Sequence, residues 1–208
     1  MLVEKTLKDF SEVLGSDSPA PGGGSVAALS GSLGADLVSM VCNLSIGKKE
    51  YEEWQSELEE ALKKSRDLSS ELLERVDLDT QAFNGVMKAF KMPKETEDQK
   101  QQRKEAIQKG FREAVQSPLA IAHGCLEVLK VAESLLGKSN TNAVSDLGVS
   151  SQQAYAGLEG AVMNVKINLP SIKDKDFVEK TSRETEDLLA EGKVVCDKIN
   201  GFVNENIG

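Results

Sequence analysis

"SPAPGGGSVAALSGSLGADLVSMVCNLSIGKK", residues 18–49, decides the fold class. Three glycines follow Pro-Ala-Pro, and small or aliphatic residues then run without a turn signal as far as Gly47. That length, with apolar residues at helical spacing and no strict alternation, predicts a helix over 25–46 rather than a strand. The stretch is apolar enough to raise the question of a membrane. Asp36, Asn43 and several serines make it too polar for a lipid-facing span, so the expectation is a helix buried among others, with no membrane partner.

The helical pattern continues on both sides. Val3, Leu7, Phe10 and Leu14 form a first stripe that Gly15 can stop. A charged helix is predicted over 49–76, and a shorter one over 79–91 carrying Phe83, Val86, Met87 and Phe90. After the polar loop "KMPKETEDQK", a charged helix runs to about 116. Ser117-Pro118 then reads as an N-cap with proline at the first position of a new helix. "GKSNTN" precedes a helix over 143–169, and a last one spans 174–204. Alternating β-branched runs of the kind that form strands are missing. The expected fold is all-α: a single-domain multihelical antiparallel bundle of six to eight helices over 1–208.

Composition bounds the function. Of 208 residues, 39% are hydrophobic and 4% aromatic, so the core must be aliphatic and rich in small residues. A net charge of -9 argues against nucleic acid as a partner. The N-terminus lacks a basic segment followed by an apolar one, and the three cysteines are widely spaced and odd in number. The expectation is a reduced, cytoplasmic protein without zinc or another metal.

The glycines do not form a nucleotide loop. GxxxxGK[ST] is missing, and Gly22-x-Gly24-x-x-Ala27 follows "SDSPAP" rather than a strand, so the dinucleotide fingerprint fails in context. Two readings remain. Gly22, Gly23 and Gly24 either let a helix pack closely, or expose free backbone N–H groups to an anion or a developing negative charge.

Two helices combine an apolar body with one polar stripe. Ser25, Ser32, Asp36, Ser39 and Asn43 share a sector in the first. Asp146, Ser150, Gln153, Gly157, Asn164 and Asn168 share one in the second, preceded by Asn140, Asn142 and Ser145. Buried polar groups need partners, which an interhelical network supplies as well as a ligand does. Gly157 suits either a ligand or a close helix crossing. Asp79 lies on the apolar face of its own segment with Phe83, Val86 and Phe90. It reads as an N-cap or, if desolvated, as a proton shuttle with a raised pKa. His123, the single histidine, falls on a polar side and reads as solvated. Residues 88–112 hold eight basic against four acidic side chains, a solvated face that could also attract an anionic ligand tail.

Together with "DLDTQAFNGVMKAFKMP" and "NTNAVSDLGVSSQQAYAGLEGAVMNVKINL", the opening stretch resembles the cyclodeaminase/cyclohydrolase family, in the same order over most of the chain. The resemblance implies an all-helical subunit that forms a homodimer and binds a tetrahydrofolate derivative as substrate, with no tightly bound cofactor, nucleotide or metal. The family's glycine turn matches Gly22, Gly23 and Gly24, its Asn-Leu…Gly-Lys matches Asn43, Leu44, Gly47 and Lys48, and its acidic landmarks fall on Asp79 and Asp146.

Hydrolysis of a methenyl-folate needs a carboxylate near the amidinium or the water, a proton donor for the leaving nitrogen, and amides that orient the heterocycle. The sequence offers Asp146 as the leading carboxylate, with Asp36 or Asp79 as the second and Lys48 for protons or for a glutamate of a polyglutamylated folate. Gly22, Gly23, Gly24, Ser25, Asn43, Asn140, Asn142, Ser145, Asn164 and Asn168 form the expected binding set. The expected activity is methenyltetrahydrofolate cyclohydrolase. The alternatives are formimidoyltetrahydrofolate cyclodeaminase and a non-catalytic helical module, which would close its polar stripes and leave no cavity.

Overall fold

In the computed structural model, which describes residues 1–207, six α-helices follow one another: α1 (Leu7–Leu14), α2 (Gly23–Ser45), α3 (Gln55–Phe90), α4 (Glu97–Ser134), α5 (Val144–Asn168) and α6 (Lys175–Asn206). α2, α3, α4 and α5 pack in a ring, each antiparallel to the next, and α6 lies in the groove between α4 and α5. Their facing aliphatic side chains, among them Leu58, Leu72, Ile121, Leu129, Leu147 and Leu158, make one large core. A smaller cluster of Val115, Val165, Leu169 and Ile172 closes one end.

α2 is long and apolar enough by composition to cross a membrane, but most of its surface packs against α3, α4 and α5. Towards α3 it presents a hydroxyl every seventh residue. Ser25 Oγ donates to the Val76 carbonyl at 2.8 Å, Ser32 and Ser69 hydroxyls pair at 3.1 Å, and those of Ser39 and Ser65 pair at 2.7 Å. The polar stripe therefore divides. Its serines close on α3 as an interhelical network, whereas Asp36 and Asn43 are exposed.

Towards α5 the contact is backbone to backbone. A Cβ on Gly157 would stand 2.7 Å from the Ala27 carbonyl oxygen, 2.8 Å from Cys125 Sγ and 3.1 Å from the Gly31 nitrogen. Gly157 thus marks a close helix crossing, not space for a ligand. Ser150 Oγ reinforces the crossing by donating to the Gly34 carbonyl at 2.8 Å.

Two expected breaks are not breaks. The helices expected over 49–76 and 79–91 are one helix, α3, preceded by a 3₁₀ segment (Lys49–Trp54), because Asp77 and Leu78 carry no stop signal. Asp77 instead accepts the Leu2 amide at 2.7 Å and ties down the N-terminus. Ser117-Pro118 does not start a helix either, since α4 runs straight through it. Thr96 is the true cap of α4, its hydroxyl accepting the Gln99 amide.

The crossing yields a stability test. Gly157→Ala gains up to about 1 kcal/mol of helix propensity, but overpacking against a main-chain oxygen costs about 1–3 kcal/mol. A lower melting temperature is expected, measured by thermal unfolding; an unchanged or higher one would refute the contact.

Candidate active site

The first turn of α2, the last third of α3, the middle of α4 and the end of α5 enclose a cleft of about 390 Å³. Gly22, Gly23 and Gly24 form one wall, Asp79 and Asn164 the polar floor, and Asn168 lies beside them. Phe83, Val86, Met87, Phe90 and Phe111 make the other half apolar. A wider, open depression of about 660 Å³ between α4 and α6 is lined mainly by charged side chains. There His123 Nε2 lies 2.8 Å from Glu184 in an exposed pair, as expected of a solvated histidine. The glycine cleft is the one that joins apolar walls to converging polar groups, the combination a small-molecule site needs.

Asp79 is the central group. It lies within α3 rather than at a helix start, so it caps nothing in its own helix. Its carboxyl occupies the space that a Cβ on Gly24 would need. A bare glycine at this position is therefore what lets a carboxylate reach the first turn of α2. Two effects compete there. Burial raises the Asp79 pKa, the Ser25 backbone amide lowers it, and burial wins. The folded chain thus holds this proton more tightly than the unfolded chain. Ionised Asp79 costs stability, and the loss grows as pH rises from the ordinary value of 3.8 through the higher folded one.

The amides are positioned by a less obvious device. Pro118 has no N–H, so the Ala114 carbonyl one turn earlier loses its helical donor. Asn168 Nδ2 takes that place, donating to the Ala114 oxygen at 3.1 Å and to the Asn164 oxygen at 2.9 Å. Asn164 Nδ2 donates to the Gly160 oxygen at 2.8 Å. With each Nδ2 committed to the main chain, each Oδ1 keeps its hydrogen-bonding capacity, and both residues line the cleft.

Six of the expected site residues thus converge: Gly22, Gly23, Gly24, Asp79, Asn164 and Asn168. Ser25 stands just behind them, its hydroxyl held by Val76 and 3.3 Å from that of Thr80. The others are elsewhere. Asn43 lies 19 residues along α2 from Gly24, about 28 Å at the helical rise, and Lys48 follows it, exposed. Asp146, half-buried, and Ser145, exposed, lie in the first turn of α5, as far from Asn164. Asn142 is exposed, and Asn140 is locked into the α2–α5 junction, its Nδ2 donating to the Leu44 oxygen and its Oδ1 accepting the Asn142 amide. Asp36 borders a separate depression with Leu33, Met40 and Val149. Within one subunit Asp146, Asp36 and Lys48 do not share the cleft with Asp79, and the leading carboxylate there is Asp79. Angular position on a helix places residues on one face but does not say how far apart along it they lie.

Residues 6–187 match the family model described as formiminotransferase-cyclodeaminase. The chain belongs to this family. It is 41% identical over 207 residues to the methenyltetrahydrofolate cyclohydrolase of Methylorubrum extorquens, covering all of both chains. It is 35% identical over 200 residues to the formimidoyltransferase-cyclodeaminase of Mus musculus, covering 96% of this chain and 37% of that protein. The crystal structure of formiminotetrahydrofolate cyclodeaminase from Thermotoga maritima superposes with a TM-score of 0.90 at 25% identity over the whole of both chains. The all-helical fold expected from the sequence is thus shared with a solved family member.

The apolar half of the cleft, in contrast to the glycine turn, was not assigned to the site from sequence. The signal for part of it was present, since Asp79, Phe83, Val86 and Phe90 share one helical face. Phe111 and Ala114 come from α4 and carry no such mark.

The Pro118 device makes a specific prediction for this family member. Pro118→Ala restores an N–H that competes with Asn168 for the Ala114 oxygen. The variant should melt no lower than the wild type, yet lose several-fold in folate affinity as Asn168 is released. Equal affinity would show that Asn168 needs no such anchor.

Proposed function

We propose that this chain hydrolyses 5,10-methenyltetrahydrofolate to 10-formyltetrahydrofolate. The observation that carries the reading is the half-buried Asp79 carboxyl against the first turn of α2, flanked by amides and facing an apolar cleft. The full-length similarity to a methenyltetrahydrofolate cyclohydrolase supports it.

The substrate is a cation whose charge is shared over N5, the bridging carbon and N10. As water adds to that carbon, Asp79 accepts one of its protons, and its negative charge offsets the cation. The resulting carbinolamine breaks its C–N5 bond. Asp79 returns the proton to N5, the hydroxyl proton passes to solvent, and the formyl group remains on N10. Burial holds the Asp79 proton more firmly than in an ordinary carboxyl, which suits a group that must take up a proton and return it. Asn164, Asn168 and the glycine backbone orient the heterocycle. The folate enters as substrate, and the chain carries no tightly bound cofactor.

The Thermotoga maritima neighbour favours a second reading with the same machinery. In formimidoyltetrahydrofolate, N10 would attack the formimidoyl carbon, and Asp79 would protonate the departing ammonia. Both reactions are read by methenyl absorbance, which falls in the first and rises in the second. Turnover of the methenyl compound alone is expected; turnover of formimidoyltetrahydrofolate alone would select the second reading. Asp79→Asn should lower turnover by about 10²-fold or more while melting higher at pH 7, because the costly buried charge is gone. Full turnover in this variant would remove Asp79 from the chemistry.

We propose further that the chain works in the reducing cytoplasm, consistent with three free, buried cysteines, and that two copies associate. The outer surface of α2 and α5 is the supporting observation. Leu33 (47% exposed), Leu37, Met40 and Val149 stand around an apolar depression of about 400 Å³ with Asp36 at its edge. A second copy offers the same apolar surface, as a two-fold contact requires. Sedimentation velocity should give twice the 22.5 kDa chain mass, and Met40→Glu with Val149→Glu should give a monomer. A monomeric wild type would overturn the proposal.

A further inference from the structure

The cleft is polar at one end and aromatic at the other, and its aromatic end leads to cations. Asp79 and Phe90 are eleven residues apart on α3, about 16 Å at the helical rise. That length accommodates a bicyclic head and an arene laid end to end. At the far end the Phe90 and Phe111 rings meet edge to face, with centroids 6.0 Å apart and planes at 81°. Phe90 is 43% exposed, an uncommon state for a ring in a chain with so few aromatics.

Arg103 sits against Phe90. Its Nε and Nη2 donate to the Phe90 carbonyl at 3.3 and 3.1 Å, and its guanidinium carbon lies 5.9 Å from the centre of the Phe90 ring. The end of α3 and the start of α4 are thereby fastened together at Phe90, whose side chain lines the cleft. Of the other cations in this stretch, Lys100 pairs with Glu97, Lys109 with Glu113 and Arg112 with Asp174. Lys88, Lys91, Lys94 and Lys104 have no carboxylate partner among the described residues but, unlike Arg103, are not fixed to Phe90. Among the described residues, no carboxylate pairs with Arg103. A guanidinium bound only to a carbonyl and a ring face retains donors for an anion.

Resting on the folate reading above, we infer that the cleft holds its substrate in one direction. The heterocycle lies at the glycine and Asp79 end. The benzoyl ring lies against Phe90 and Phe111, and the glutamate carboxylates reach Arg103. Phe90 and Arg103 are thus binding and specificity residues. They select folates that carry an aryl-glutamate tail and seat the reactive carbon beside Asp79 by holding the far end of the molecule.

Three probes separate the two ends: tetrahydrofolate, 6-methyltetrahydropterin as the head alone, and p-aminobenzoylglutamate as the tail alone. Each is titrated into wild type, Phe90→Leu, Arg103→Gln and Asp79→Asn, followed by saturation-transfer NMR, with circular dichroism to confirm folding. Phe90→Leu and Arg103→Gln should each weaken tetrahydrofolate and p-aminobenzoylglutamate by roughly threefold to tenfold and leave 6-methyltetrahydropterin unchanged. Asp79→Asn should do the reverse, weakening the head and sparing the tail. Equal losses for head and tail in Phe90→Leu, or wild-type binding of all three probes by both tail variants, would overturn the orientation while leaving the folate reading intact. A wild type that binds no tetrahydrofolate would overturn both.

Discussion

The close approach of α2 to its two neighbours sets the register on which everything else depends. Ala27, Gly31 and Gly157 leave no side chain between α2 and α5, so the two backbones settle at one position along each other. On the other side, the hydroxyls of Ser25, Ser32 and Ser39 all find partners on α3. Sliding either helix by a turn would bury unpaired hydroxyls or force Cβ atoms into main-chain oxygens. The same register brings Gly23 to Asn164 and Gly24 to Asp79. The interior of α2 therefore positions the site at its end.

That site keeps a carboxyl where the fold would prefer none. Burial raises the Asp79 pKa even though an α2 amide faces it, so the ionised form is held at a cost in stability. Comparable compromises recur around it. Pro118 interrupts the hydrogen bonding of α4, and Asn168 repairs the gap from α5. Phe90 stays partly exposed at a helix end instead of joining the core. Each departs from what stability alone would choose, and Asp79, Phe90 and the Asn168 that compensates for Pro118 all line one cleft, the pattern expected where local preference yields to binding or chemistry.

Much of the fold was legible because helices announce themselves locally. Seven-residue spacing and small residues marked α2 and α5, and the glycine turn marked the start of α2. The two boundary errors have local causes as well. Ser-Pro carries the signature of a helix start, and only a side chain from α5 makes Pro118 tolerable inside α4. Nor does the sequence around Asp79 reveal that its helix began more than twenty residues earlier. The candidate site was legible in part: the glycines, Asp79, Asn164 and Asn168 came together, whereas Asp146, Asn43 and Lys48 did not. All of them sit on recognisable motifs, but motifs give residue type and helical phase, not position along a bundle.

What the sequence by itself determined is the helical architecture, the small-residue character of α2 and α5, and the residue types needed for folate chemistry, because periodicity and composition act over a few turns. What only the tertiary structure decided is which of those residues meet. Asp79 rather than Asp146 faces the glycine turn, and the serine stripe closes on α3. Phe90 and Phe111, distant in sequence from the glycines, complete the same cleft. The physical reason is that helix phase follows from local covalent geometry, whereas the offset between helices is fixed only by steric and hydrogen-bonding contacts between segments far apart in the chain.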